Sequence, residues 1–498
     1  MKSATRNYAL LFSGCLLFHL AGTWSLPLID RDEPRFAEAS REMIERDDYV
    51  VPHFNNDLRL DKPPLAYWAQ IASYKIFGEN DFAARLPSAV AAALIALSLF
   101  AWGRRIDGDR LGWWPAIIFT LSLQTFLHAK AAVADMWLVL FVTTAHWAGW
   151  ELLTQGAAIS RPPWAIWRSP FLVFYFSLAL GFLAKGPIAW TPLLAVGLII
   201  FFTRDFTLVR PFKFLRGILL MLAIVALWGI PALVQTDGEF WSVGLGRHVV
   251  ARSLVTMEGH GPKSVIGYLA LLPFYFVTIF VSFFPWSIKL PWLAQKLWRK
   301  QEAGVGDPGY SGRDKIDNYL LTGIAIIFVT FTLIKTKLPH YTLPAFPLLA
   351  LLLARHWQPA AATSRRSVFG KIAIATASLW ILVAIIVPPL VAGSFPAYAL
   401  FQQARDELRT EMEFGAVDYA EPSLVWYFRS RAKGFFTPLN NKRAVQFMEK
   451  PGPRFVIAPT SLARTLFANH ADWKTFSTQG INIAKGKHVD LTLVLKSE

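Results

Sequence analysis

Cysteine is almost absent from this 498-residue chain: Cys15 stands alone, so no intramolecular disulfide can form. Acidic residues are also scarce, 34 against 50 lysines and arginines, and the formal net charge is +16. Such an excess can mark a nucleic-acid binder, but neither a basic recognition helix nor a zinc-ligand spacing accompanies it. Nucleic acid is therefore excluded as a partner. No glycine-rich nucleotide motif and no HExxH occur, so no nucleotide cofactor is expected. Internal repeats and low-complexity stretches are missing as well. "FSGC" loosely resembles a lipoprotein cleavage site, but the apolar run continues past Cys15 and reads as an uncleaved signal anchor.

What the chain has in abundance is apolar sequence. Hydrophobic residues make up 54% of it, and 20 tryptophans contribute to an aromatic share of 14%. Runs near bilayer length recur at 8–28, 83–103, 112–128, 136–153, 171–184, 187–203, 214–234, 268–288, 318–335, 341–355 and 370–392. The expected fold class is mainly α, a polytopic membrane protein with about 11–13 transmembrane helices. The surplus positive charge is then loop charge and attraction to membrane lipid. Lys2, Arg6, Arg104, Arg105, Arg110, Arg204, Arg210, Lys213, Lys296, Arg299, Lys300, Arg355, Arg365 and Arg366 fall on one set of alternating ends. The opposite short loops carry few, which predicts a cytoplasmic N-terminus and a C-terminus outside.

Three outer segments are too long to be connectors. The first, 29–82, contains "FAEASREMIER", whose Phe36, Ala39, Met43 and Ile44 recur at helical spacing, so a helix along the membrane surface is expected. The second, 235–267, is glycine-rich and aperiodic, like a lid. In the third, 393–498, "RFVIAP" and "HVDLTLVLK" read as strands and "AYALFQQARDELRTEM" as a helix, which predicts a small periplasmic α/β domain after a membrane domain at 1–392.

Ionisable residues gather at the outer ends of the spans. Charges are expensive at bilayer depth, and those kept there commonly face a functional cavity. Asp32 and Glu33 follow span one directly, inside "LPLIDRDEPRFAEA". "RLDKPPLAYW" holds Asp61 and Lys62 before two stiffening prolines; a lysine there suits a phosphate or simply snorkels to headgroups. Asp135 begins a span in "KAAVADMWLV", where it serves equally as a helix cap or a site carboxylate. Lys185, in "FLAKGPIAW", reads as an anchor. "RHVVARS" carries His248 and Arg252, and "TKLPHYTLP" presents Lys337, His340 and Tyr341. Together they suit a phosphate with an apolar tail: cations for a leaving phosphate, and a carboxylate to take a proton or steady an oxocarbenium-like sugar.

At these residues the sequence resembles the aminoarabinose transferase family, a branch of the dolichyl-phosphate-mannose protein mannosyltransferase group of GT-C fold. The resemblance rests on "RDEPRFAEASREMIERDDYVVPHFNNDLRLDKPPLAYW", followed in the family's order by "AVAD", "AKGP", "EGHGP", "KLPHYTLP" and the closing "INIAKGKHVDLTLVLK". It implies Asp32 as the essential carboxylate with Glu33 beside it, and Asp135 supporting the site. Lys62, Arg252 and Tyr341 would hold undecaprenyl phosphate. The resemblance further implies a divalent metal between Asp61 and His248, although Asp61 stands where the aminoarabinose enzymes have the longer Glu.

The implied activity is transfer of a sugar, 4-amino-4-deoxy-L-arabinose in the type enzymes, from undecaprenyl phosphate to an outer-leaflet acceptor such as lipid A phosphate. The acceptor in this reading is lipid A or another envelope glycan, in a bacterial inner membrane. Two other readings use the same features. The sugar and acceptor could differ (a lipopolysaccharide core sugar, a protein or a cell-wall glycan), or the chain could transport a lipid-linked sugar without chemistry. Transporters commonly show repeated halves with midplane charges, and neither is present here.

Overall fold

The first apolar run ends sooner than its composition predicts. In a computed structural model that describes residues 2–155, 169–251, 264–303, 312–357 and 368–497, helix α1 spans Lys2–Leu20 and the chain then turns. Gly22 permits this turn. Its φ is +76°, and a Cβ there would sit 1.7 Å from the Ala384 carbonyl oxygen, so only glycine lets the segment lie against the helix Val368–Val391. The carbonyls freed at the end of α1 are satisfied by Lys130, whose ammonium donates to Phe18 O, His19 O and Ala21 O at 3.0, 2.9 and 2.7 Å. That is a helix C-terminus capped by a cation from another loop.

Two short helices follow, α2 (Asp32–Glu45) and α3 (Leu65–Phe77), linked by the two-residue strands β1 (His53–Phe54) and β2 (Asp57–Leu58). The membrane part continues with α4 (Asp81–Leu121), broken at Asp107–Gly108, then α5 (Leu123–His128) and α6 (Asp135–Gln155). Next come α7 (Pro170–Lys185), α8 (Thr191–Thr203) and α9 (Phe214–Gln235). Gly186 at φ +82° followed by Pro187 ends α7 and starts the return through α8, because proline cannot donate to the α7 ladder. The later helices Gly312–Leu333, Phe346–His356 and Val368–Val391 complete the bundle, while the predicted span 268–288 is broken into Val265–Ala270, Phe274–Ser282 and a 3-10 turn. Among the described residues, 4 segments are long and apolar enough to cross a bilayer alone, including Asp81–Asp109 and Phe206–Gln235. One apolar core runs through the bundle, from Leu11 through Phe100 and Phe119 to Leu351. Exposed Phe201, Phe202, Leu227, Val234 and Leu390 coat the outside of the spans, the surface that lipid rather than water would cover.

Helix α2 departs from the sequence expectation in its setting. Its helical stripe is buried as expected at Phe36, Ala39 and Met43, but Glu38, Arg41 and Glu42 on its polar face are buried too. The C-terminal α/β unit sits on that face. Its sheet has the order β4-β3-β5-β7-β6, built from Phe436–Leu439, Glu413–Val417, Arg454–Pro459, Lys487–Lys496 and Lys474–Asn482. β3 pairs in parallel with β4 and β5, and β7 is antiparallel to β5 and β6. The expected helix at its start runs only Pro396–Ala404.

The contact helix Pro422–Phe428 grips the first loop through specific bonds. Asp30 accepts from Ser423 N at 2.9 Å, capping that helix. Asp81 accepts from Trp426 Nε1 and Tyr427 Oη at 2.8 and 2.9 Å. Arg429 bonds Glu38 and, at 2.7 Å, Glu45, while Arg41 donates to Glu38 at 2.7 Å and stacks 4.0 Å above the Trp426 ring. With every buried acid facing a guanidinium, the α2 polar face can leave water.

Candidate active site

The two adjacent carboxylates of the first loop separate into opposite environments. Consecutive residues on a helix point about 100° apart, so Glu33 turns inward while Asp32 stays exposed at the first position of α2. Glu33 is filled on both oxygens. It accepts from Arg85 Nε and Nη2 at 2.9 and 2.8 Å, from Ala132 N at 2.7 Å and from Ile29 N at 2.8 Å. Arg85 also donates to the carbonyls of Thr23, Leu26 and Pro27, binding α4 to the segment that leads into α2. Neither the bidentate pair nor Arg85 itself was read from the sequence. An arginine at the mouth of an otherwise apolar span was the available signal.

A second charged group lies within electrostatic range of Asp32. This is Arg59, whose Nε donates to Tyr67 Oη at 2.9 Å and whose Nη2 lies 3.4 Å from Asp61. Burial works against the Arg59 charge, but Tyr67, Asp61 and Asp32 outweigh it and hold its pKa above the ordinary value. Lys62 follows, 4.0 Å from the Asp61 carboxylate. The prolines after Lys62 lead directly into α3, whose N-cap is Pro64.

Asp61 and Lys62 lie at the rim of a cavity of about 380 Å³. Apolar side chains of α9, among them Leu222, Val225, Trp228 and Leu233, line it together with Phe240 and Trp241. Lys185 is its third charged lining residue. The sequence read Lys185 as an anchor, but its ammonium lies 2.5 Å from Asp135 Oδ1. Asp135, the first residue of α6, is buried, with His340 Nε2 at 4.0 Å. Tyr341 follows in the 3-10 turn Pro339–Ala345, with the Lys185 ammonium 5.9 Å from its ring centre. Lys337 does not join this group; it caps the helix Gly312–Leu333 by donating to Phe331 O and Thr332 O at 3.0 and 2.6 Å.

The structure therefore brings Asp61, Lys62 and Lys185 to one cavity, and Asp135, Lys185, His340 and Tyr341 to one cluster, with Lys185 common to both. Arg252 lies outside the described residues, as does the side chain of His248 in the π-helical stretch Phe240–Ala251. Of the pair Asp61 and His248 expected to hold a metal, the surroundings of Asp61 alone are described. Asp61 is flanked by Arg59 at 3.4 Å and Lys62 at 4.0 Å, so a metal there would compete with two cations.

These features, an apolar multi-helix bundle with buried ionisable side chains and a small α/β unit, define a multi-pass membrane protein of the GT-C fold. The crystal structure of ArnT from Cupriavidus metallidurans bound to undecaprenyl phosphate superposes with a TM-score of 0.77 at 18% identity, covering 99% of this chain and 98% of that one. Residues 61–230 match the dolichyl-phosphate-mannose-protein mannosyltransferase family. The undecaprenyl phosphate-alpha-4-amino-4-deoxy-L-arabinose arabinosyl transferase of Erwinia tasmaniensis is 28% identical over 364 residues, 72% of this chain and 61% of that protein. The corresponding transferase 2 of Sodalis glossinidius is 31% identical over 331 residues, 65% of this chain and 55% of that protein. The matches to these two relatives thus span about three fifths of their length. The chain is thus similar to the aminoarabinose transferases over about two thirds of its length, and it shares the fold of ArnT.

Proposed function

We propose that this protein is a glycosyltransferase that moves a sugar, 4-amino-4-deoxy-L-arabinose by its relatives' names, from undecaprenyl phosphate to lipid A phosphate. The site would open on the periplasmic side of a bacterial inner membrane, with the N-terminus cytoplasmic. The observation that carries this reading is the 380 Å³ cavity, lined mainly by apolar side chains of α9 and also by Lys62, Lys185 and Asp61. A polyprenyl tail and its phosphate have that polarity.

In the reaction the bond from the sugar's anomeric carbon to the donor phosphate oxygen breaks. Its electron pair leaves with undecaprenyl phosphate, where Lys62, Lys185 and Arg252 of the lid offset the charge. An acceptor oxygen forms the new bond. The exposed Asp32 carboxylate stabilises positive character at the anomeric carbon, or takes the proton if the acceptor is a hydroxyl. Glu33, filled by Arg85 and two backbone amides, positions the start of α2, and Asp135 positions Lys185.

Purified protein in lipid, given labelled undecaprenyl-phosphate-aminoarabinose and lipid A, should yield sugar-modified lipid A by mass spectrometry. Labelled donor carried across the bilayer with its glycosyl bond intact would replace the transferase reading with a transporter. Modification of a different envelope glycan would keep the transferase and change its acceptor. Reporter fusions after Arg299 and Glu498 test the orientation, and should score cytoplasmic and periplasmic respectively.

A further inference from the structure

Three metal-ligating side chains converge from parts of the chain far apart in sequence. His128 ends α5, Asp135 begins α6 and His340 stands in the 3-10 turn Pro339–Ala345. One ligand atom from each lies within 4.8 Å of the others, and among the described residues no other group of three His, Cys, Asp or Glu does so. The two imidazole rings are 4.9 Å apart and tilted by 37°. Asp135 is buried and both histidines are half-buried.

We propose that His128, Asp135 and His340 form a site for a divalent transition cation of the Zn²⁺ or Co²⁺ type, distinct from the Asp61–His248 pair. Two imidazoles and one carboxylate suit such borderline ions better than Mg²⁺ or Ca²⁺, which favour all-oxygen shells. Bond lengths of about 2.0–2.2 Å would draw the ligand atoms to roughly 3.4 Å from one another, a closure within the reach of side-chain rotation. The surrounding groups match what a ligated histidine needs. The Gln124 side-chain nitrogen lies 2.9 Å from His128 Nδ1, within reach for its amide to set which ring nitrogen carries the proton. Turned so that its oxygen accepts from Nδ1–H, that amide would fix the tautomer and leave Nε2 as the ligand atom.

Lys185 is the competitor. Its ammonium already occupies Asp135 Oδ1, but a carboxylate offers a second oxygen and about four lone-pair sites. The cation and Lys185 would then share Asp135, and Lys185 should weaken metal binding without abolishing it. Three protein ligands leave a further coordination position open.

The test uses the full-length protein in detergent, stripped with chelator and titrated separately with Zn²⁺ and Co²⁺. Wild type should take up about one equivalent, with Co²⁺ giving the visible absorption of a low-coordinate nitrogen and oxygen site. His128→Ala and His340→Gln should each lower affinity by roughly 100-fold, whereas Asp61→Ala should leave it unchanged. Lys185→Met should tighten binding by removing the competing charge. Gel filtration and thermal unfolding confirm that each variant is folded, and His340→Gln keeps a polar side chain if His128→Ala does not fold. Equal Co²⁺ spectra and affinities in wild type and both histidine variants would overturn the site. So would metal uptake lost only in Asp61→Ala, or no uptake by wild type.

Discussion

Lys185 Nζ sits 2.5 Å from Asp135 Oδ1, joining the last residue of α7 to the first residue of α6 across 50 positions. The pair is half of a larger relationship, because Lys185 also lines the apolar cavity that Asp61 and Lys62 rim. Asp135 therefore holds a cation in place for the cavity. Removing either partner leaves the other charge uncompensated in a largely buried place.

Lys185→Ala and Asp135→Asn should each reduce glycosyl transfer by roughly 100-fold, and the double variant should lose little more, because the residues act as a unit. A double-mutant cycle on transfer rates checks this. Additive losses would mean that Asp135 acts on the substrate independently of Lys185.

Asp32 is exposed at the start of α2, and in the proposed reaction its carboxylate meets the sugar. Asp32→Asn preserves shape and removes charge. Transfer should fall by about two orders of magnitude or more, while binding of undecaprenyl phosphate survives because Lys62 and Lys185 remain. Retained transfer in Asp32→Asn would shift the catalytic carboxylate to Asp135.

The Glu33–Arg85 pair is expected to behave as architecture. Both side chains are almost fully buried, and Glu33→Ala strips Arg85 of its bidentate partner. Breaking a buried pair costs about 3–5 kcal/mol, so the thermal midpoint in detergent should drop for Glu33→Ala and Arg85→Leu alike. A stable, folded Glu33→Ala with normal donor binding and no transfer would instead assign Glu33 to the chemistry.

Glu38 supplies a pH test of the junction between α2 and the C-terminal unit. Burial pushes its carboxyl up to about 7 from 4.5, while Arg41 and Arg429 pull the other way. A carboxyl whose folded pKa is raised binds its proton more tightly in the folded state. Its contribution to stability is therefore fully present below about pH 4.5 and is lost as pH rises through about 7. Relative to Glu38→Gln, wild-type thermal stability should decline across that window. A relative rise instead would mean that Arg41 and Arg429 keep Glu38 ionised throughout.

Composition and periodicity alone determined that the chain is a bundle of membrane helices, because a bilayer demands long apolar runs whatever their neighbours. They also located α2 through Phe36, Ala39 and Met43, and strands β5 and β7. Tertiary structure alone decided which charges pair. Asp32 and Glu33 are neighbours in sequence and chemically alike, yet Arg85, 52 positions after Glu33, makes Glu33 part of the frame. The same holds for Lys185 with Asp135, for His128 with His340, and for Arg429 with Glu38 across 391 positions. The physical reason is range. Lipid and water sort side chains one at a time by polarity, so that sorting is written locally in the sequence. A buried charge is tolerable only within hydrogen-bond reach of a partner, and only the folded path of the chain brings that partner near.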